Sequence, residues 1–220
     1  MPRAFTEQEK ELIRKRLLEQ GYKQFSAYGL RKTNIEELAE AAGISKGAFY
    51  LFYASKEALF MDVVEQVEQR FREELFAMVD LPGPSPRARL FALLQHAFHR
   101  VKTIPLLQFL TGNDFDLLFR RVPPETFQEH VASDRAFINE LITRCQNAGI
   151  PIRVQPEKMI SLLYPLVLTI LHEDEYSGTF PLSGSVDVFL EVVAAIWLGE
   201  IELQLQSPDT LSPLSKEGDA

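Results

Sequence analysis

The segment at 33–59, TNIEELAEAAGISKGAFYLFYASKEAL, constrains the fold of this chain more than any other. Ile35, Leu38, Ala39 and Ala42 recur at helical spacing and make one apolar face. Thr33, with Glu36 three residues on, reads as a capping box that opens this helix. Gly43 stands where a helix ends in a left-handed backbone, a conformation that costs glycine little. Ile44 returns to the core, Ser45 can cap a second helix, and Phe49 and Tyr53 lie on that helix's inner side. Ser55 can cap a third. Two short helices joined by a glycine turn, with a third following at once, make a helix-turn-helix.

The outer side of the second helix carries Ser45, Lys46, Gly47, Ala48, Tyr50 and Phe52. Gly47 and Ala48 are small, so the backbone can come close to a surface. Lys46 supplies charge for a phosphate or a guanine edge. Tyr50 offers a hydroxyl on a rigid ring. Lys56 falls in the first turn of the third helix, where a cation is poorly placed for the helix dipole. A nearby phosphate would explain it. Arg31 and Lys32 sit in the turn before Thr33. The expected DNA contacts are therefore Arg31, Lys32, Thr33, Ser45, Lys46, Gly47, Ala48, Tyr50, Phe52 and Lys56.

The run AGISKGAFY at 42–50, followed by Ser55, Lys56, Glu57 and Leu59, resembles the DNA-binding signature of the TetR (tetracycline repressor) family. Phe25, Gly29, Thr33, Ile35 and Ala39 fit the same pattern upstream. The resemblance covers roughly the first quarter of the chain. It implies an all-helical transcriptional regulator, expected to be a repressor, that binds a palindromic operator in double-stranded DNA as a homodimer. It also implies a body that holds an apolar pocket for a small inducer.

A net charge of −8 looks wrong for a DNA binder, but its distribution is uneven. Residues 1–60 hold 10 Lys and Arg against 8 Asp and Glu, and residues 61–220 hold 13 against 23. The acidic charge belongs to the body, and a small local basic set, including Arg3, serves the head. Cys145 is the sole cysteine, which excludes an intrachain disulfide and a cysteine metal cluster. No signal-peptide pattern opens the chain, and the apolar run around 159–171 contains Pro165 and is too short to span a bilayer. A cytoplasmic location is expected.

The whole chain is expected to be all-α. The division expected is a helix-turn-helix domain at 1–54, a helical ligand-binding and dimerisation body at 55–206, and a disordered tail at 207–220. The first helix should run over 6–28, opened by a Thr6–Glu9 capping box and stopped by Gly29. A long helix over 55–79 should connect head to body. Further helices are expected at 86–102, 124–147, 156–172 and 185–206, with one or two short ones between 104 and 123. The helix at 124–147 should turn Phe127, Val131, Phe137, Ile138, Leu141 and Ile142 inward.

Residues 186–197 have few polar positions, so this helix must be buried on more than one face. Val193, Ala194, Ala195 and Trp197 are expected at a two-fold interface, where small residues and Gly199 permit close helix approach. The expected ligand contacts are Phe98, His99, Phe109, Asn113, Phe115, Phe137 and Tyr164. His96 and His99 have a spacing that can ligate a metal, but no compact cluster accompanies them in sequence, so no metal and no cofactor are expected. No Gly-rich phosphate loop, GxSxG motif or paired-carboxylate constellation is present, so an enzyme is not expected. Two rival readings remain at this stage. One is a regulator that senses a partner protein in place of an inducer. The other is a helical enzyme or scaffold with no DNA function.

Overall fold

The structure is a computed structural model and describes residues 5–108, 117–118, 120–171 and 185–201. Among these residues every regular element is a helix, as expected. They are α1 Glu7–Lys32, α2 Ile35–Ala42, α3 Lys46–Phe49, α4 Lys56–Val79, α5 Pro86–Thr103, α6 Pro105–Gln108, α7 Pro124–Asn147, α8 Pro156–Leu171 and α9 Ser185–Trp197. No helix among the described residues is long and apolar enough to cross a membrane. The expected tail at 207–220 lies outside the described residues.

Most helix ends fall where their caps predict. The Thr6 hydroxyl accepts from the Glu9 amide at 3.2 Å, and the Glu9 carboxylate accepts from the Thr6 amide at 2.7 Å. Gly29, at φ 75°, interrupts α1 at the expected stop, and a last turn then carries Leu30 into the core. Ser55 and Ser85 accept from the amides three residues on and open α4 and α5. Two expectations are corrected. Asn34, not Thr33, caps α2, through an Oδ1 that accepts from the Glu36 amide at 2.9 Å. And α9 ends at Trp197, well short of 206, because Gly199 at φ 71° turns the chain.

Two apolar clusters form. The first joins α1, α2 and α3 to the first half of α4, through Leu59, Phe60, Met61, Val63 and Val64. Ile104, Leu106, Leu118 and Val122 complete it. Here α1 and α4 come unusually close, since a Cβ on Gly21 would lie 3.1 Å from Val63 Cγ2. The second cluster gathers Leu75 and Val79 of α4 with α5, α7, α8 and α9. α5 is its hub, packing on α4, α6, α8 and α9. α4 packs on α1, α5 and α7 and contributes to both clusters.

Charged side chains tie the second region together across long stretches of sequence. Arg89 donates to Ala148 O at 2.7 Å and to Val79 O at 2.6 Å, closing the C-terminal ends of α7 and α4 at once. Arg72 on α4 is buried and bonds Asp134 and Ser133 of α7. Burial pushes the Glu68 carboxyl beside it up to about 7, with His130 and Arg72 pulling the other way. One inward assignment fails on α7, where Val131 is 59% exposed.

Candidate nucleic-acid interface

α2, the Gly43 turn and α3 build a rigid corner. Gly43 adopts φ 78° and ψ 28°, and its amide closes the last turn of α2. Ile44 then bonds back to Ala39 O at 2.9 Å. Ser45 accepts from the Ala48 amide at 3.2 Å and starts α3. Phe49 is fully buried and fixes α3 onto the head, and Tyr53 is buried beside it with ring centroids 6.0 Å apart. Burial pushes the Tyr53 phenol above its ordinary range, and Asp62 adds to the effect.

With Phe49 turned inward, Ser45, Lys46, Gly47 and Tyr50 face solvent, and Ala48 is half-buried. A Cβ on Gly47 would find only the Ser45 hydroxyl, 3.9 Å away, so this edge is open for close approach. Lys46 lies 3.7 Å from Glu36, an exposed pair that water screens. Arg31 and Lys32 are exposed in the last turn of α1. Leu51 is 72% exposed next to Tyr50, and nothing in the sequence pattern singled it out. An apolar side chain there suits contact with a thymine methyl.

Three of the expected contacts are placed differently. Thr33 is buried, and its hydroxyl donates to Gly29 O at 2.7 Å, so its side chain belongs to the end of α1. Phe52 is half-buried against Phe5 at 5.9 Å between centroids, under the Arg14 guanidinium. The Lys56 ammonium donates to Leu30 O at 2.7 Å, Thr33 O at 2.9 Å and Arg31 O at 3.1 Å. A cation badly placed for α4's own dipole is thus well placed for the orphan carbonyls at the end of α1.

The body residues divide similarly. Val193, Ala194, Ala195 and Trp197, expected at a two-fold interface, are all buried within this one chain. Their apolar faces are consumed by the core around α5, and the exposed apolar residues of α9 are Val188, Phe189 and Val192. Ile160 of α8 is also exposed. Of the expected ligand contacts, Phe98 is buried in the second core, and Phe137 is half-buried with its ring 5.4 Å from Phe76. His99 is exposed, because it follows the buried Phe98 onto the outer face of α5. Phe109, Asn113, Phe115 and the Tyr164 side chain lie outside the described residues.

Comparison with known proteins adds a separate line of support. The family model for bacterial regulatory proteins, tetR family, matches residues 17–63, a span from α1 through the corner into α4. The chain is 42% identical to the HTH-type transcriptional regulator YerO of Bacillus subtilis (strain 168) over 213 residues, covering 91% of this chain and 68% of that protein. This chain belongs to the tetR family of bacterial regulatory proteins. It is also 32% identical over 99 residues to the HTH-type transcriptional regulator AcrR of Shigella flexneri, and that match spans less than half of AcrR's length, 46%. The tetR-family fold extends over the body as well. The structure of Thermus thermophilus FadR, a transcriptional repressor solved with lauroyl-CoA, aligns with 89% of this chain and 97% of its own. Its TM-score is 0.58 at 22% identity.

Proposed function

We propose that this chain is a ligand-responsive transcriptional repressor that binds a palindromic operator as a homodimer. The observation that carries the reading is the outer edge of α3, where Lys46, Gly47 and Tyr50 stand exposed on a corner locked by Phe49. One such corner reads a half-site in the major groove, and two-fold symmetry supplies the other. Arg31, Lys32 and Lys46 serve the phosphates or guanine edges. The functional division falls at 54/55, with the DNA-binding head before it and the ligand-binding body from 55 to 206. The head's core nevertheless runs on into α4. The chain acts by binding, not catalysis, and works in the cytoplasm, where the DNA is.

The exposed apolar side chains Val188, Phe189 and Val192 on α9, with Ile160 on α8, favour these two helices as the dimer surface. In the body we place a small, largely apolar ligand near Phe98 and Phe137. A ligand that favours one spacing of the two heads would shift operator affinity only through its different affinity for the two states. α4 can carry that shift, because it packs on α1 in the head and on α5 and α7 in the body. Selection of bound DNA from a random pool, followed by a screen for compounds that release it, tests the reading. An enriched inverted repeat bound by two chains supports it. No enrichment over the starting pool rejects it.

A further inference from the structure

Sequence spacing places Glu65 and Glu68 on one face of α4, and His130 and Asp134 on one face of α7. The fold brings these two faces together. Arg72 lies at the centre, its side chain 8% exposed, and bonds Glu65 Oε1 at 3.0 Å, Glu68 Oε2 at 3.2 Å and Asp134 Oδ1 at 2.9 Å. Three carboxylates therefore face one guanidinium.

The His130 imidazole enters this acidic set on both of its nitrogens. Nδ1 lies 3.7 Å from Glu65 Oε2 and 3.7 Å from Glu68 Oε2. Nε2 lies 3.8 Å from Asp134 Oδ2. All three separations exceed hydrogen-bond length. The Nδ1 distances instead suit ligands of one ion, since tetrahedral bonds of about 2.1 Å set neighbouring ligand atoms about 3.4 Å apart. The ligand atoms of Glu65, Glu68 and His130 all lie within 4.8 Å of one another. Asp134 lies on the far side of the ring, 3.8 Å from Nε2, and its other oxygen is held by Arg72.

We propose that Glu65, Glu68 and His130 form a binding site for a divalent transition-metal ion. One imidazole and two carboxylates, with no thiolate, suit Zn²⁺ or a similar borderline cation. The charge count agrees. In the metal-bound form, with the carboxylates ionised and the imidazole neutral as ligation requires, the three carboxylates and Arg72 leave two negative charges that a divalent ion cancels. Glu65 is half-exposed and also borders an open cleft of about 500 Å³, so a hydrated ion can reach it. Arg72 carries the same sign as the ion and competes for Glu68 Oε2. It makes this an exchangeable site, weaker than a closed structural zinc centre. An occupied site would tie α4 to α7 by bonds from both helices.

The test uses the full chain, with Zn²⁺ followed by calorimetry and Co²⁺ by its visible absorption. It needs no DNA, so its failure is distinguishable from failure of the regulatory reading. The expected result is one ion per chain with micromolar affinity and a Co²⁺ spectrum of nitrogen and oxygen ligands. His130→Ala and Glu68→Gln should each weaken binding more than tenfold. His96→Ala should leave it unchanged, because His96 sits apart beside Glu74. Arg72→Met should tighten it. Should a variant misfold, the Co²⁺ spectrum of the unaltered chain still decides. Absence of stoichiometric binding at millimolar ion overturns the proposal, as does binding that folded His130→Ala retains in full.

Discussion

The head and the body close their helices by different means. In the head, Thr6, Asn34 and Ser45 each accept from an amide two or three residues away. The body uses such caps at Ser55 and Ser85, but its distinctive ties are long. Arg89 reaches a carbonyl 59 residues on, Arg72 a carboxylate 62 residues on, and Arg87 reaches Glu191 and Glu200 at 104 and 113 residues. A local cap fixes where a helix starts. A distant tie from a buried guanidinium, such as Arg72 to Asp134, helps set how two helices sit against each other. The head is thus a set of locally specified helices around a small core, and the body is an arrangement of long helices positioned by charges from elsewhere. Lys56 joins body to head in the same way, tying the start of α4 to the end of α1 across 26 residues.

The largest break in this comparison should come from Phe49→Ala. Removing a fully buried ring costs about 3–5 kcal/mol, and here it also frees α3. Urea titration should show that loss, and DNA binding should vanish. If the head is locally specified, Cys145, buried in the body, should stay protected from thiol reagents in the same variant. A reactive Cys145 in low urea would merge the two regions into one unit.

Arg72→Met should come next, at about 3 kcal/mol, because it leaves carboxylates without their cation. The partners are partly solvated, which keeps the cost at the low end. Thermal denaturation measures it, and hydrogen exchange should place the loss at the α4–α7 contact. Lys56→Met should cost about 2 kcal/mol through its three lost carbonyl contacts. The slope of DNA affinity against salt should stay unchanged. A slope smaller by one unit would mean that Lys56 leaves the carbonyls for a phosphate. Asn34→Ala should cost about 1 kcal/mol, as loss of a helix cap does.

Cys145→Ala should leave the pH dependence of stability near neutrality unchanged. Burial pushes the Cys145 thiol up to about 11 from its ordinary 9.0. The folded state therefore keeps a proton that the unfolded chain releases above pH 9. Stability from this group is complete below pH 9 and is lost as pH rises toward 11. The Ala variant should lack that decline, as denaturation curves at pH 8 and pH 10.5 would reveal.

What could be read from the sequence follows the same division. Capping residues, Gly29 and Gly43 act over a few residues, so most helix starts and stops were legible. The outward Lys46, Gly47 and Tyr50 followed from helical spacing once Phe49 was placed inside. Thr33 and Asn34 are adjacent and both can cap, and only the buried bond from Thr33 to Gly29 decides between them. The carbonyls that Lys56 bonds could not be read from the sequence, because no sequence pattern displays them. Val193, Ala194, Ala195 and Trp197 read correctly as buried, but periodicity cannot tell whether the covering helix belongs to the same chain. The Glu65–Glu68 and His130–Asp134 spacings were visible, yet nothing local showed that the two pairs meet.

DNA recognition by the outer edge of α3 is tested most directly with Gly47→Glu. The site has room for the new side chain, so the variant should fold and melt like the parent. Its carboxylate would stand where a phosphate or base edge must approach. Fluorescence anisotropy on the DNA selected by the parent should show sequence-specific binding that weakens linearly with the logarithm of salt. The variant should lose that binding entirely. A folded Gly47→Glu chain that binds the selected DNA as tightly as the parent would contradict the assignment of this edge to DNA.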